Sequence, residues 1–70
     1  MPPKTKTIYY KSFQIDIAPK NVADGKWQPL WWIWFTDEAK KFSNDKYFKS
    51  EDEANKYAEE NAKTYLDKIT

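Results

Sequence analysis

The chain has 70 residues, which is enough for one domain with a single small hydrophobic core. It contains no cysteine and no histidine, which excludes disulfide bonds, thiolate metal sites and the commonest general base. All 12 basic residues are lysines and nearly balance 11 acids, so the net charge of +1 lacks the strong basic excess of most nucleic-acid-binding domains.

The N-terminal residues 1–6, MPPKTK, predict a flexible arm, because prolines and lysines leave little to bury. No apolar stretch follows them, so a secretory signal is not expected. The longest apolar run is the six-residue LWWIWF at 30–35, far shorter than the roughly 20 residues of a membrane helix. We therefore expect a cytoplasmic protein that is not bound to a membrane, with a single domain over residues 7–70.

Apolar and polar side chains alternate along residues 7–17, TIYYKSFQIDI, which predicts one half-buried β-strand. One face of this strand would carry Tyr9, Phe13, Ile15 and Ile17, and the other Tyr10, Ser12, Gln14 and Asp16. The dipeptide Asp24-Gly25 predicts a turn within the loop 18–26, because glycine accepts positive φ without steric cost.

A second strand is predicted over about 27–35, with regular pairing from Leu30, because Pro29 cannot donate a backbone hydrogen bond. A third and shorter strand is expected within 39–48, where the candidates for burial are Phe42, Tyr47 and Phe48. Turn signals separate these runs, so we expect the strands to pair antiparallel.

The C-terminal third predicts a helix from about 51 to 68. Ser50 and Glu53 form a capping box, in which each side chain satisfies a free backbone N–H at the helix start. One apolar stripe then recurs at helical spacing, formed by Ala54, Tyr57, Ala58, Ala62, Tyr65, Leu66 and Ile69. The sequence therefore predicts an α+β fold: a three-stranded antiparallel β-meander with one C-terminal α-helix packed across one face.

The tryptophan run divides between two faces if it forms a strand. Trp31, Ile33 and Phe35 point one way and are assigned to the core under the helix. Leu30, Trp32 and Trp34 point the other way and, together with Tyr10, form the candidate binding patch. A register slip would exchange the two sets but would still leave large rings on the helix-free face.

Three roles are open for this patch. The rings can be structural, packing on one another and on lysine stems beneath the N-terminal arm or the long loop. Alternatively, an exposed patch of Trp and Tyr is typical of a binding surface, and the favoured partner is a protein or a second copy of the chain in a homodimer. The alternative ligand is single-stranded nucleic acid stacked on the rings, with a sugar as a weaker candidate.

The sequence shows few features of an active site. Apart from Asp16, the carboxylates lie in turns or on the exposed side of the helix, and Glu51-Asp52-Glu53 is typical of a helix start rather than of a metal site. A single glycine excludes a phosphate-binding glycine loop. We therefore expect a non-enzymatic protein with no catalytic residues, no metal and no cofactor.

The helix start resembles that of small bacterial β-β-β-α proteins, through Ser50, Glu53, Ala54, Ala58 and Ala62 within residues 47–66. The order of strands and helix is also similar to the N-terminal domains of HicB-type antitoxins. This resemblance implies a bacterial or phage-type accessory protein whose domain binds a small toxin and often oligomerises. The tryptophan run departs from the pattern, and these 70 residues include no segment expected to bind DNA after the helix, so no functional residue is carried over.

Overall fold

The computed structural model describes residues 6–70 and contains six strands and one helix in that range. The elements are β1 (Lys6–Tyr10), β2 (Phe13–Ile17), β3 (Lys20–Ala23), β4 (Lys26–Gln28), β5 (Leu30–Phe35), β6 (Glu38–Ser43) and α1 (Glu51–Ile69). The arm predicted for residues 1–6 lies outside the described residues, except for Lys6, which begins β1.

The predicted class is confirmed, because an antiparallel sheet is followed by one C-terminal helix. The three-stranded meander is wrong: the strands form a four-stranded sheet in the order β1-β2-β5-β6 and a separate two-stranded sheet of β3 and β4. All pairings are antiparallel. The small sheet is therefore formed by the segment that connects β2 to β5, which are neighbouring strands of the large sheet.

The predicted strand over residues 7–17 is in fact a hairpin. Lys11 and Ser12 have φ values of 50° and 70°, and β1 pairs with β2 on either side of them. Two consecutive residues with positive φ form the type I′ turn that matches the twist of a two-residue hairpin. Tyr10 lies directly opposite Phe13 across this turn. The alternating pattern concealed the turn, since neither Lys nor Ser gives the usual glycine or asparagine signal.

The predicted loop over 18–26 forms the hairpin of β3 and β4, turning at Asp24-Gly25 as expected, with Gly25 at φ 68°. This hairpin is tied to the start of the helix. The backbone N–H of Trp27 donates to the carbonyl of Phe48 at 2.8 Å, and the N–H of Phe48 donates back to the carbonyl of Trp27 at 2.9 Å. Pro29 is buried between β4 and β5, and regular pairing begins at Leu30 as predicted.

The third predicted strand, expected somewhere within residues 39–48, is β6, which begins one residue before that range. β6 stops at Ser43, and Phe42 on it is half-buried, with its ring stacked on Trp31 at 5.9 Å between centroids. Phe48 is half-buried against Tyr57, with the ring centroids 5.0 Å apart. The burial expected for Tyr47 is wrong: its side chain is 51% exposed, because the chain has already left the sheet.

The helix α1 begins at the predicted residue, but only the Ser50 half of the predicted capping box is formed, without the reciprocal bond from the Ser50 N–H to the Glu53 side chain. The Ser50 hydroxyl oxygen accepts a hydrogen bond from the backbone N–H of Glu53 at 3.3 Å. Its buried side chains are the predicted Ala54, Ala58, Ala62 and Leu66, whereas Ile69 at the end of the stripe is half-exposed. Small alanine side chains let the helix axis approach the sheet closely. No helix within residues 6–70 combines the length and the apolar character needed to cross a membrane.

The core lies between α1 and the central strands β2 and β5. Ile15, Ile17 and Ile33 are fully buried there, and Trp31 almost so. Each such aliphatic side chain stabilises the fold by about 1.5–3 kcal/mol relative to its exposed state. The face assignment predicted for β5 is therefore correct for Trp31 and Ile33, and Phe35 is half-buried on the same side.

Candidate functional site

The face of the four-stranded sheet that carries no helix is the candidate site. Its large side chains are Tyr9, Leu30, Trp32 and Trp34, which we call the aromatic face. Leu30 and Trp32 are half-buried, whereas Trp34 is 44% exposed and Tyr9 is 73% exposed. Three of the four residues predicted for the patch therefore lie on one surface.

Tyr10, the fourth predicted residue, lies on the opposite face. Residues paired across a hairpin share a face, so the turn at Lys11 and Ser12 places Tyr10 with Phe13 under the helix. Its hydroxyl donates to an Asp67 carboxylate oxygen at 2.9 Å. Its place on the helix-free face is taken by Tyr9, which the sequence pattern had placed on the same face as Phe13 and Ile15.

The side chains of the aromatic face stand in cross-strand rows. One row runs Tyr9, Gln14, Trp34 and Ala39, and the next runs Thr7, Asp16, Trp32 and Lys41. Rows on the same face lie roughly 6.8 Å apart along the strands. Each tryptophan thus has a polar side chain of β2 as its direct neighbour.

Both carboxylate oxygens of Asp16 accept hydrogen bonds from side chains of the two rows. One oxygen accepts from the indole N–H of Trp34 at 2.8 Å. The other accepts from the Thr7 hydroxyl at 2.8 Å and from the Gln14 amide at 3.2 Å. The Trp34 ring is therefore fixed in orientation although nearly half of it faces solvent.

The same hydrogen bonds set the charge state of Asp16. Partial burial would raise the pKa of its carboxyl, but the bonds from Trp34, Thr7 and Gln14 together outweigh burial and hold the pKa below its usual value. Asp16 is therefore ionised at neutral pH, and three donors surround its charge.

We predict that the Asp16→Asn variant loses less stability on acidification than the wild type. A carboxyl with a folded pKa below its unfolded value of about 3.9 stabilises the fold above that value, and the contribution is lost as pH falls through the folded pKa. Urea unfolding at pH 7 and pH 3, followed by tryptophan fluorescence, measures the difference. Asp24→Asn in the exposed turn is the control, and an equal pH dependence of Asp16→Asn and wild type would contradict the prediction.

Two hollows flank the rows of the aromatic face. One, of about 500 Å³, lies at the end near the β1–β2 turn and is lined in part by Tyr9, Gln14 and Trp34. The other, of about 410 Å³, we call the indole groove; it is lined by Ala18, Pro19, Lys20, Asn21, Trp27, Leu30 and Trp32. Its volume falls in the range of about 300–1,000 Å³ typical of ligand sites.

The indole groove contains residues that the sequence did not assign to a site. Pro19 and Trp27 reach it only because β3 and β4 fold as a hairpin beside the large sheet. No local sequence pattern signals this placement, since it depends on the pairing of Trp27 with Phe48, which are far apart in the chain.

Comparisons with protein families, with curated proteins and with solved structures return no match. Function is therefore inferred from the geometry and charge of the aromatic face.

Charge is distributed unevenly between the two layers. Residues 6–50, which form the sheets and their connections, contain eight lysines and five acids, a net charge of +3, whereas residues 51–70 contain three lysines and six acids, a net charge of −3. On the aromatic face, Lys41 stands directly beside Trp32, and Lys20 lines the indole groove. Across residues 6–70 there is no group of three or more acidic side chains that could hold a metal ion.

Proposed function

We propose that this protein is a small, non-enzymatic binding module that contacts a protein partner, or a second copy of itself, through the aromatic face. The observation that carries the proposal is the state of Trp34, which is 44% exposed and yet held by a 2.8 Å hydrogen bond to Asp16. A large ring that is already ordered loses little conformational entropy on binding. Tryptophan and tyrosine are also enriched among the residues that dominate binding energy at protein interfaces.

The indole groove supports a protein partner in particular. Its walls are mainly Pro19, Trp27, Leu30 and Trp32, so it can take one large apolar side chain of a partner as an anchor. Anchors of this kind, in preformed pockets surrounded by weaker contacts, are the usual pattern of protein recognition. The exposed Trp34 and Tyr9 then extend the contact over the adjacent rows of the sheet.

The proposal needs no cofactor, and the absence of cysteine from the chain is compatible with a cytoplasmic location. The order of strands and helix predicted from the sequence resembles that of the N-terminal domains of HicB-type antitoxins, which bind a small toxin, and this resemblance is compatible with a protein partner. Tyr9, Leu30, Trp32 and Trp34 are the residues proposed to make the contact, with Tyr9 in place of the Tyr10 chosen from the sequence.

We expect the double variant Trp32→Ala/Trp34→Ala to weaken association by about 30-fold or more, because loss of an interface hot spot costs about 2 kcal/mol or more. Sedimentation velocity measures self-association, and quantitative pull-down with the purified variants measures capture of protein partners. Tyr47→Ala, which removes an exposed ring outside the sheets, is the matched control. Circular dichroism verifies that each variant is folded.

Association of the double variant equal to that of the wild type and of Tyr47→Ala would refute the proposed function. Single-stranded nucleic acid is the second candidate, favoured by the lysine beside Trp32 and by rows about 6.8 Å apart, an interval that suits stacked bases. Salt-sensitive quenching of tryptophan fluorescence by an oligonucleotide, lost in the double variant, would support this second candidate instead. No quenching at low salt would exclude it.

A further inference from the structure

The strand β1 forms one edge of the four-stranded sheet. Its turn into β2 is closed by the pair Tyr10–Phe13, and the closing pair of a two-residue type I′ hairpin exchanges both backbone hydrogen bonds. Backbone direction alternates along a strand, so the N–H and C=O of Ile8 point toward β2. Those of Thr7 and Tyr9 point away from the sheet, and no strand within residues 6–70 pairs with them.

The opposite edge of the same sheet is protected from such pairing. β6 carries Lys40 and Lys41 at its centre, and symmetric antiparallel pairing about that centre would place Lys40 opposite Lys41 of the other copy. By contrast, residues 7–10 of β1 carry no charge and no proline, and its register with β2 has no bulge. Tyr9 on this strand is also the most exposed ring among the large exposed side chains.

We propose that β1 pairs antiparallel with β1 of a second copy, with the two-fold axis passing through Ile8. In this register Thr7 lies opposite Tyr9 of the other copy, and the two residues exchange both of their outward backbone hydrogen bonds. The symmetry repeats the same exchange on the other side of the axis. Every outward backbone group of Thr7 and Tyr9 then has a partner, and the two sheets become one.

The side chains are also complementary in this register. On the aromatic face, Tyr9 packs on Thr7 of the other copy, an aromatic and β-branched pair that favours antiparallel pairing. On the helix side, Ile8 meets its own copy and Lys6 faces the ring of Tyr10. No pair of like charges stands directly opposite within β1, and the ion pairs near this edge, Lys6–Glu59 and Lys11–Asp67, present both signs of charge to the other copy.

This interface uses the backbone of the sheet edge rather than the indoles of β5. It is therefore independent of the binding of a protein partner by the aromatic face, and it is the alternative to self-association through that face. Because the axis is perpendicular to the sheet, both helices remain on one side and both aromatic faces on the other. The dimer would thus present two aromatic faces side by side on one surface.

Thr7→Pro tests the proposal. Proline removes an N–H that faces solvent in the monomer, and an edge strand tolerates proline at such a position. Thr7→Val is the matched control, because both variants lose the hydroxyl bonded to Asp16 but only the valine keeps the N–H. By symmetry each interface loses the donor from both copies, so we expect the dimer dissociation constant of Thr7→Pro to exceed that of Thr7→Val by about tenfold or more.

Sedimentation equilibrium distinguishes the 8.4 kDa chain from a species of twice that mass. Hydrogen exchange of the wild type gives a second readout that needs no variant: the amides of Thr7 and Tyr9 become protected as protein concentration rises, and that of Ile8 is protected throughout. A wild-type monomer up to about 1 mM, or exchange at Thr7 and Tyr9 that is independent of concentration, would overturn the proposal. A dimer that survives Thr7→Pro but is lost in Trp32→Ala/Trp34→Ala would assign self-association to the aromatic face instead.

Discussion

Replacing Ile33 by alanine is expected to remove about half of the free energy of unfolding. Ile33 is 0% exposed and lies on the central strand β5, opposite the equally buried Ile15 of β2. Truncating a buried isoleucine to alanine costs about 2–5 kcal/mol, because apolar burial is lost and a cavity remains. A chain of this length has only about 4–10 kcal/mol of stability in total.

Urea unfolding followed by tryptophan fluorescence measures this loss as a lower midpoint. Ile69→Ala is the control, since the same atoms are removed from a side chain that is 50% exposed at the end of the helix. We expect that control to change stability by about 0.5 kcal/mol or less, as surface substitutions usually do. Equal losses in the two variants would show that the core is not centred between β2, β5 and α1.

Replacing Ala58 by leucine is expected to destabilise the protein by about 1–3 kcal/mol. Ala58 is fully buried where α1 packs on the sheet, between the equally buried Ala54 and Ala62. Extra methyl and methylene groups at a close-packed position force the helix away from the sheet or distort neighbouring side chains. Leucine and alanine differ little in helix propensity, so the change reports packing rather than helix formation.

Thermal unfolding followed by circular dichroism measures the effect of this leucine. Each 1 kcal/mol shifts the Tm of a domain of this size by about 4–8 °C, so a decrease of at least about 4 °C is expected. Thr64→Leu adds the same side chain at an exposed position of the same helix and is expected to leave Tm nearly unchanged. A Tm for Ala58→Leu as high as that of Thr64→Leu would mean that spare volume exists beneath the helix.

The helix and the faces of β5 could be predicted from the sequence because local rules decide them. The hydroxyl of Ser50 caps the helix, and alanines at helical spacing mark its buried side, whatever the rest of the fold does. In β5, alternation placed Trp31 and Ile33 on one face and Trp32 and Trp34 on the other. Three of the four residues of the candidate patch were identified by this single rule.

The hairpin at Lys11 and Ser12 could not be predicted in the same way. A two-residue hairpin turn with positive φ usually contains glycine, asparagine or aspartate, and neither Lys11 nor Ser12 is one of these residues. Alternation continued through the turn without a visible break. Because this turn was missed, two strands were predicted as one, and Tyr9 and Tyr10 were each assigned to the wrong face of the sheet.

The indole groove depends on contacts between distant parts of the chain. Trp27 is positioned by backbone bonds to Phe48 at the helix start, and Pro19 by the course of the chain between β2 and β3. Neither contact leaves a periodic signal in the sequence. Local patterns could therefore identify the aromatic character of the site but not its concave shape.

The uneven charge of the two layers gives the molecule an electric dipole that runs from the acidic helix layer to the basic sheet layer. Such a dipole exerts a torque in the field of an approaching charged molecule before any contact is made. A negatively charged partner would turn the sheet layer, with its tryptophans, toward itself. The torque weakens as ions accumulate, because charges separated by more than about 8 Å are largely screened at physiological ionic strength. Encounters with such a partner should therefore become less frequent as salt is added, although the large side chains of the aromatic face are mainly apolar.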